Sequence, residues 1–370
     1  MVQNNIHETD VLIFGGGPSG SSAALSLLNH SASKVTIVEH SDFEQVRVGE
    51  QVSASIFELI DYLKIDREDF GEACFTPSFY GVSYWGSDIP SSRESIFSAE
   101  GASFQLDRVK FDFTLIEKVV DRGGYVFPRT KCLMLDRTED AYWEARLKHP
   151  DHGVFTVRAK YLIDATGRNA KISRRIGMPP KKVDKLVGVG SFFTFQDQRP
   201  LPNDQLIETT ELGWWYSALL PNQTLVATFF SDADVISKYR LNHTDNWLKL
   251  LQASGKMKTR LSGAQSNQGK PWIRSAVSQI SNAHQYKNFI AVGDAACSFD
   301  PISSMGLGFA MTSACRAATA IMTEQHHSEA IVNYKKDITK NFEQYLVTRR
   351  QHYQQEKRWP ESIFWCRRSA

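Results

Sequence analysis

Cysteine is scarce in this chain and unpatterned. Five thiols, Cys74, Cys132, Cys297, Cys315 and Cys366, make an odd number, and none stands close enough to another for a metal knuckle, a redox pair or a disulfide-stapled small fold. Free thiols are expected, and a reducing cytoplasm is the expected location. No run of 18 or so apolar residues occurs, and the opening MVQNNIHETD has neither a basic nor an apolar signal region, so neither export nor a membrane span is expected. An excess of one charge is missing too: a net +2 over 370 residues excludes the electrostatic footprint of a nucleic-acid binder. Repeats, low-complexity tracts and metal-ligand spacings are likewise absent, and no metal site is expected.

What is present is a large supply of core. At 42% hydrophobic, 370 residues can fill two domains, or one domain with a large insertion. DVLIFGG, SSAALSLLNH and KVTIVEH read as strand, helix and strand around a glycine turn, and RVKFDFTLIEKVVDRGG as a helix closed by a glycine pair. From about residue 185 to 281 the pattern becomes alternating and aromatic, as in VGVGSFFTF, GWWYSALLP and QTLVATFF, which predicts an antiparallel sheet. KNFIAVGDAACSF then resumes the buried-strand pattern. The organisation expected is a discontinuous nucleotide-binding domain over 8–75, 101–184 and 282–330, a sheet domain over 76–100 and 185–281, and a helical tail over 331–370. That tail holds nine Lys or Arg against four Asp or Glu and ends in QQEKRWPESIFWCRRSA. It reads either as a solvated helix with a packed Trp, or as a docking surface for a protein, since Trp and Arg dominate interface hot spots.

Three segments carry chemistry. Gly15, Gly17 and Gly20 fit G-x-G-x-x-G between a strand and a helix, with Pro18 and Ser19 inside the turn: the glycines permit the turn, the approach of a diphosphate and close helix packing. Glu39, 19 residues after Gly20 and followed by His40, places a carboxylate where it can accept from an adenosine ribose. The second segment is YLIDATGRNA, a buried strand running into Asp164 and a turn. The third, NFIAVGDAACSFDPISSMGLGFAM, delivers Gly293 and Asp294, whose carboxylate can hold ribityl hydroxyls. Its glycine-rich loop from Asp300 to Gly308 opens a helix and can stabilise charge on the pyrimidine edge of a reduced flavin.

With those segments in that order, the chain resembles, over roughly residues 8–330, the FAD-dependent monooxygenase superfamily of group A aromatic hydroxylases, tryptophan halogenases and geranylgeranyl reductases. The resemblance implies an α/β fold: a Rossmann-like FAD-binding domain of the glutathione reductase and p-hydroxybenzoate hydroxylase type with an inserted antiparallel-sheet substrate domain. It assigns Gly15, Gly17, Gly20 and Glu39 to the ADP half of FAD, and Arg47 of VRVGEQ and Arg108 of LDRVKFD to the diphosphate and flavin cleft. Asp164 sits where the superfamily's ATG-type strand ends, Asp294 at the ribityl chain, and Pro301, Gly306, Leu307 and Gly308 in the loop over the flavin.

Halogenases of this superfamily need a lysine to relay hypohalous acid and usually carry W-x-W-x-I-P. Here GWWYSALLP keeps Trp214 but has Tyr216 at the second Trp, and SFYGVSYWG has Tyr80 and no lysine, so halogenation is not expected. GEQ, GWWYSALLP and RWPESIFWCRR most resemble the flavoproteins that mature cysteine tryptophylquinone amino-acid oxidases, such as lysine ε-oxidase and glycine oxidase, by hydroxylating a precursor tryptophan. This implies a protein substrate, O2 as co-substrate, and NAD(P)H or a separate reductase as electron donor. Tyr80, Trp85, Trp214, Trp215 and Tyr216 are candidates for the pocket wall or for ordinary sheet packing. Ser303, Ser304 and Met305 lie in the loop nearest the reacting flavin, and no catalytic base is assigned. A small-molecule aromatic hydroxylase, a geranylgeranyl-reductase-type enzyme and a non-catalytic flavin-binding chaperone remain alternatives.

Overall fold

The computed structural model describes residues 6–44, 48–49, 51–94, 103–196, 201, 204–267, 269–282, 285–324 and 329–369. Its first layer is a seven-stranded sheet. β1 (Ile6–Phe14) lies at its centre, with β2 (Val35–Val38) parallel on one side and β3 (Gly153–Asp164) parallel on the other. Val11, Leu12 and Ile13 have no exposed surface, as a parallel strand covered on both faces requires. Strand Phe289–Ala291 extends the parallel part beside Leu162–Asp164, while Trp143–His149 and Lys131–Arg137 continue it as an antiparallel hairpin. Helix α1 (Pro18–His30) follows the glycine turn and packs against a later helix, Gly306–Glu324; Ala23 and Ala24 facing a run that includes Ala314, Ala317 and Ala318 lets the two axes approach.

The second layer is an eight-stranded sheet whose centre is antiparallel. β4 (Leu186–Thr194) pairs with β7 (Leu225–Asp232), β7 with β6 (Gly213–Leu219), and β6 with β5 (Gln205–Thr210), while β8 (Trp272–Ser275) flanks β4. Strand Tyr80–Tyr84 joins parallel to β5, and so connects the second sheet to an earlier part of the chain. Alternation divides its faces. Val189, Trp215, Ala227 and Phe229 bury themselves behind, against Trp247, whereas Gly188, Trp214, Tyr216, Thr228 and Phe230 look toward the first sheet.

The C-terminal helices α2 (Ala330–Tyr353) and α3 (Ile363–Ser369) close the molecule, and their aromatic residues follow the packed-Trp reading of the tail. Tyr353, Phe364 and Trp365 are buried with Leu186, Trp214 and Phe230 in one cluster. Arg368 is 6% exposed and its guanidinium engages Asp232, while Arg367 engages Asp232 and Asp234. A buried aromatic core needs a cover, and this segment supplies it with the same residue types that would otherwise mark an interface. Among the described residues no helix is long and apolar enough to cross a membrane.

Candidate active site

One cavity of about 1400 Å3 runs between the two sheets, from the glycine turn to the aromatic face. At its first end Gly15 holds φ +108°, and a Cβ there would lie 2.2 Å from the Ala165 carbonyl oxygen. A Cβ on Gly20 would lie 1.8 Å from the Gly15 carbonyl oxygen, so turn and helix can approach this closely only as glycines. Gly15, Gly17, Pro18 and Ser19 line the cavity, and Gly20 is packed beneath it. Glu39 directly follows β2 at the same rim, beside the exposed His40. One carboxylate oxygen accepts from the Gly16 N–H (2.7 Å) and the other from the Ser41 N–H (2.8 Å). Burial alone would raise its pKa; these donors outweigh burial and hold it below the usual carboxylate range. A helix N-terminus, a bare turn and an ionised carboxylate at this spacing fit the ADP half of FAD.

Along the cavity Asp294 and Arg168 meet, with Arg168 Nε 3.1 Å from Asp294 Oδ2. The same guanidinium donates to the carbonyls of Ser275 (3.1 Å) and Phe299 (3.0 Å), tying the turn after β3 to the Asp294 segment and to β8. Asp300 is fully buried. It caps the next turn through Ile302 N–H (3.1 Å), accepts from the Tyr353 hydroxyl (2.8 Å) and pairs with Arg349 (3.3 Å). Pro301, Ser304, Gly306 and Leu307 of its loop line the cavity, and Ser304 holds φ +52°. Arg108 also lines it, clamped by Asp112 and donating to the carbonyls of Val48 (3.0 Å) and Gly49 (2.9 Å).

Several expected residues stand elsewhere. Asp164 has no exposed surface and does not line the cavity: its carboxylate accepts from the backbone N–H and hydroxyl of both Thr166 and Ser173, which makes it a scaffold for the turn. Gly293 is buried with φ +56°, where a Cβ would lie 2.8 Å from Ser19, and Gly308 lies behind Gly306 in the helix. Trp85 leaves the pocket for the C-terminal cluster, its indole donating to the His352 carbonyl (3.1 Å). Tyr80 is about half exposed on its strand, Met305 points outward, and the Ser303 hydroxyl turns back to the Asp300 carbonyl (2.8 Å). Trp215 packs behind the second sheet. Arg47 lies outside the described residues. Of the aromatic candidates, Trp214 and Tyr216 do line the cavity, Trp214 stacked on Phe230 at 4.3 Å. Trp272, Arg274, Thr228 and Phe230 complete that face. Sequence reasoning missed Trp272 and Arg274 because β8 is four residues long, too short for its alternation to register.

Comparison with known proteins agrees with the architecture. The family described as FAD binding domain matches residues 8–347. LodB of Marinomonas mediterranea, described as a putative FAD-dependent oxidoreductase, is 43% identical over 361 residues, spanning 98% of this chain and 97% of that protein. The structure of CmlS, a flavin-dependent halogenase, superposes with a TM-score of 0.84 at 26% identity over 98% of this chain and 67% of that one. QhpG, described as a peptidyl tryptophan dihydroxylase essential for tryptophylquinone cofactor biogenesis, superposes with a TM-score of 0.68 at 22% identity over 98% of this chain and 79% of that one, a likeness of fold. The superfamily resemblance and the fold it implied are both borne out.

Proposed function

The chain belongs to the FAD binding domain family and is an FAD-dependent oxidoreductase, and from that premise we propose that it hydroxylates a tryptophan of a partner oxidase precursor during cysteine tryptophylquinone biogenesis. The observation that carries this reading is the aromatic face at the far end of the cavity. Trp214, Tyr216 and Phe230 line an apolar wall, and its described residues include no lysine to relay a halogenating agent. The lysines that do line the cavity, Lys131 and Lys171, follow Thr130 beside Glu39 and the turn after β3. The likeness to LodB supports FAD-dependent oxidoreductase chemistry, and QhpG, which shares the fold and is described as essential for tryptophylquinone cofactor biogenesis, suggests a role in that process.

Bound FAD, once reduced by NAD(P)H or a reductase, supplies the chemistry that activates O2; indole C–H, O2, two electrons and two protons then give the hydroxylated ring and one water. The protein's own contribution is placement. Gly15, Gly17, Pro18, Ser19 and Glu39 would hold the ADP half, and Asp294 would hold the ribityl hydroxyls while Arg168 fixes its orientation. The Pro301–Leu307 loop, braced by Asp300, would face the flavin. The wall of Trp214, Tyr216 and Phe230 would hold the target ring and exclude water from the reacting atoms. The test is intact-mass analysis of a quinoprotein oxidase precursor incubated with the FAD-loaded, reduced protein in air. A gain of one or two oxygen atoms on a precursor tryptophan is the expected result; turnover on free phenols or indoles with no gain on the precursor would replace this reading by a small-molecule hydroxylase.

A further inference from the structure

The aromatic face has a cation at its edge that no carboxylate among the described residues answers. β8 sets Trp272 and Arg274 two residues apart, so both project to the same side of the sheet. Pairing with β4 places Gly190 across from Trp272 and Gly188 across from Arg274. A Cβ on Gly190 would lie 2.3 Å from the Trp272 indole and one on Gly188 2.8 Å from the Phe230 ring. Both positions therefore stay bare: Trp272 lies over the first and the Phe230 ring over the second.

Two of the other arginines of this cavity pair with carboxylates, and two with backbone carbonyls. Arg108 is held by Asp112 and two carbonyls, Arg168 by Asp294 and two carbonyls, and Arg174 and Arg175 donate to the carbonyls of Asn169 (2.9 Å) and Leu133 (2.7 Å). Arg274 is exposed and has no carboxylate partner among the described residues; its recorded contact is with the carbonyl of the adjoining Ile273 (3.0 Å). A guanidinium in that state is a ready bidentate site for a carboxylate.

We propose that Arg274 and the aromatic face together form a subsite for an acidic peptide: a tryptophan ring against Tyr216 beside the buried Trp214–Phe230 stack, with the carboxylate of an Asp or Glu a few positions along the peptide on Arg274. Arg274, Gly188, Phe230 and Trp214 lie in one row across three strand spacings, roughly 14 Å, which places that carboxylate about three to five positions from the ring in an extended peptide. This rests on the tryptophan-hydroxylation reading and adds to it a sequence preference. The same chemistry is offered by the α-carboxylate of free tryptophan, which binds with no neighbouring acidic residue.

The experiment titrates short blocked tryptophan peptides, with Asp or Asn four positions from the Trp, and free tryptophan into FAD-loaded protein. Binding is followed by the change in flavin absorbance, and oxygen addition by mass. The expected result is a preference for the Asp peptide on the order of tenfold at low salt, shrinking as salt is raised. It falls to about one in Arg274→Gln and reverses toward a Lys peptide in Arg274→Glu. Equal binding of the Asp and Asn peptides, a preference that survives Arg274→Gln, or no peptide binding at all overturns the subsite. An Arg274-dependent preference confined to free tryptophan overturns the peptide assignment. Arg274-dependent binding of the Asp peptide without oxygen gain leaves the subsite standing and sinks the hydroxylation reading instead.

Discussion

Single residues set the entrance conditions for the cofactor. Gly20→Ala puts a methyl 1.8 Å from a backbone oxygen that belongs to the turn itself, so there is no flexible side chain to yield. Purified protein should carry at least about tenfold less flavin, read as flavin absorbance per chain, with the apoprotein still folded. Asp164→Ala has the opposite profile. It strands four donors from Thr166 and Ser173 around a fully buried site, and should cost about 2–4 kcal/mol of stability in urea titration before any effect on flavin affinity is considered. This contrast also marks what the sequence made legible. The glycine spacing and Glu39 are local signals with a fixed geometry, and they arrive at the cavity together. Asp164 has an equally regular sequence context, but a strand-end aspartate looks the same in a sequence whether its lone pairs face a ligand or the following turn. Trp85 misled for a similar reason: an aromatic on an alternating strand carries no mark of which neighbour will cover it.

Among the elements, the C-terminal segment is the one whose function composition misstates. Its basic and aromatic residues read as a surface, yet their partners are far away in the chain: Asp232 for Arg368, Thr209 and Gly86 for Glu356. Glu356 shows how firmly the segment is fastened. Burial would raise its pKa, but donors from Arg358, Thr209 and the Gly86 backbone bring it down to about 2. An acid depressed in the folded state stabilises the fold above its unfolded pKa, and that contribution is lost as pH falls through the folded value. Urea midpoints of the native protein and of Glu356→Gln should therefore differ most above about pH 5 and converge toward about pH 2. A constant difference across that range would mean that packing, rather than ionisation, holds the segment. The two sheets were readable from their periods, 2 for the antiparallel strands and continuous burial for the parallel ones. The segment that covers them was not, because its tertiary partners lie from about fifty to more than two hundred positions upstream.

For the whole molecule, the cavity between the sheets makes stability depend on its occupant. FAD at 100 times its dissociation constant should add about 2.7 kcal/mol, raising the thermal midpoint by several degrees in a scan with and without added cofactor. The route by which that stabilisation spreads is visible in one hydroxyl. Tyr353, fully buried on α2, receives the Trp214 indole N–H at 3.0 Å and donates to Asp300 at 2.8 Å. The aromatic face and the loop that follows Asp300 thus share a single atom, and neither can shift without the other being felt. Two ligands that meet through such an atom are thermodynamically linked, and linkage has no direction: whatever factor the cofactor adds to the grip on an aromatic guest, the guest returns to the grip on the cofactor. Tyr353→Phe keeps the ring and deletes the shared atom, and the two affinities, each measured with and without the other ligand, should then become independent.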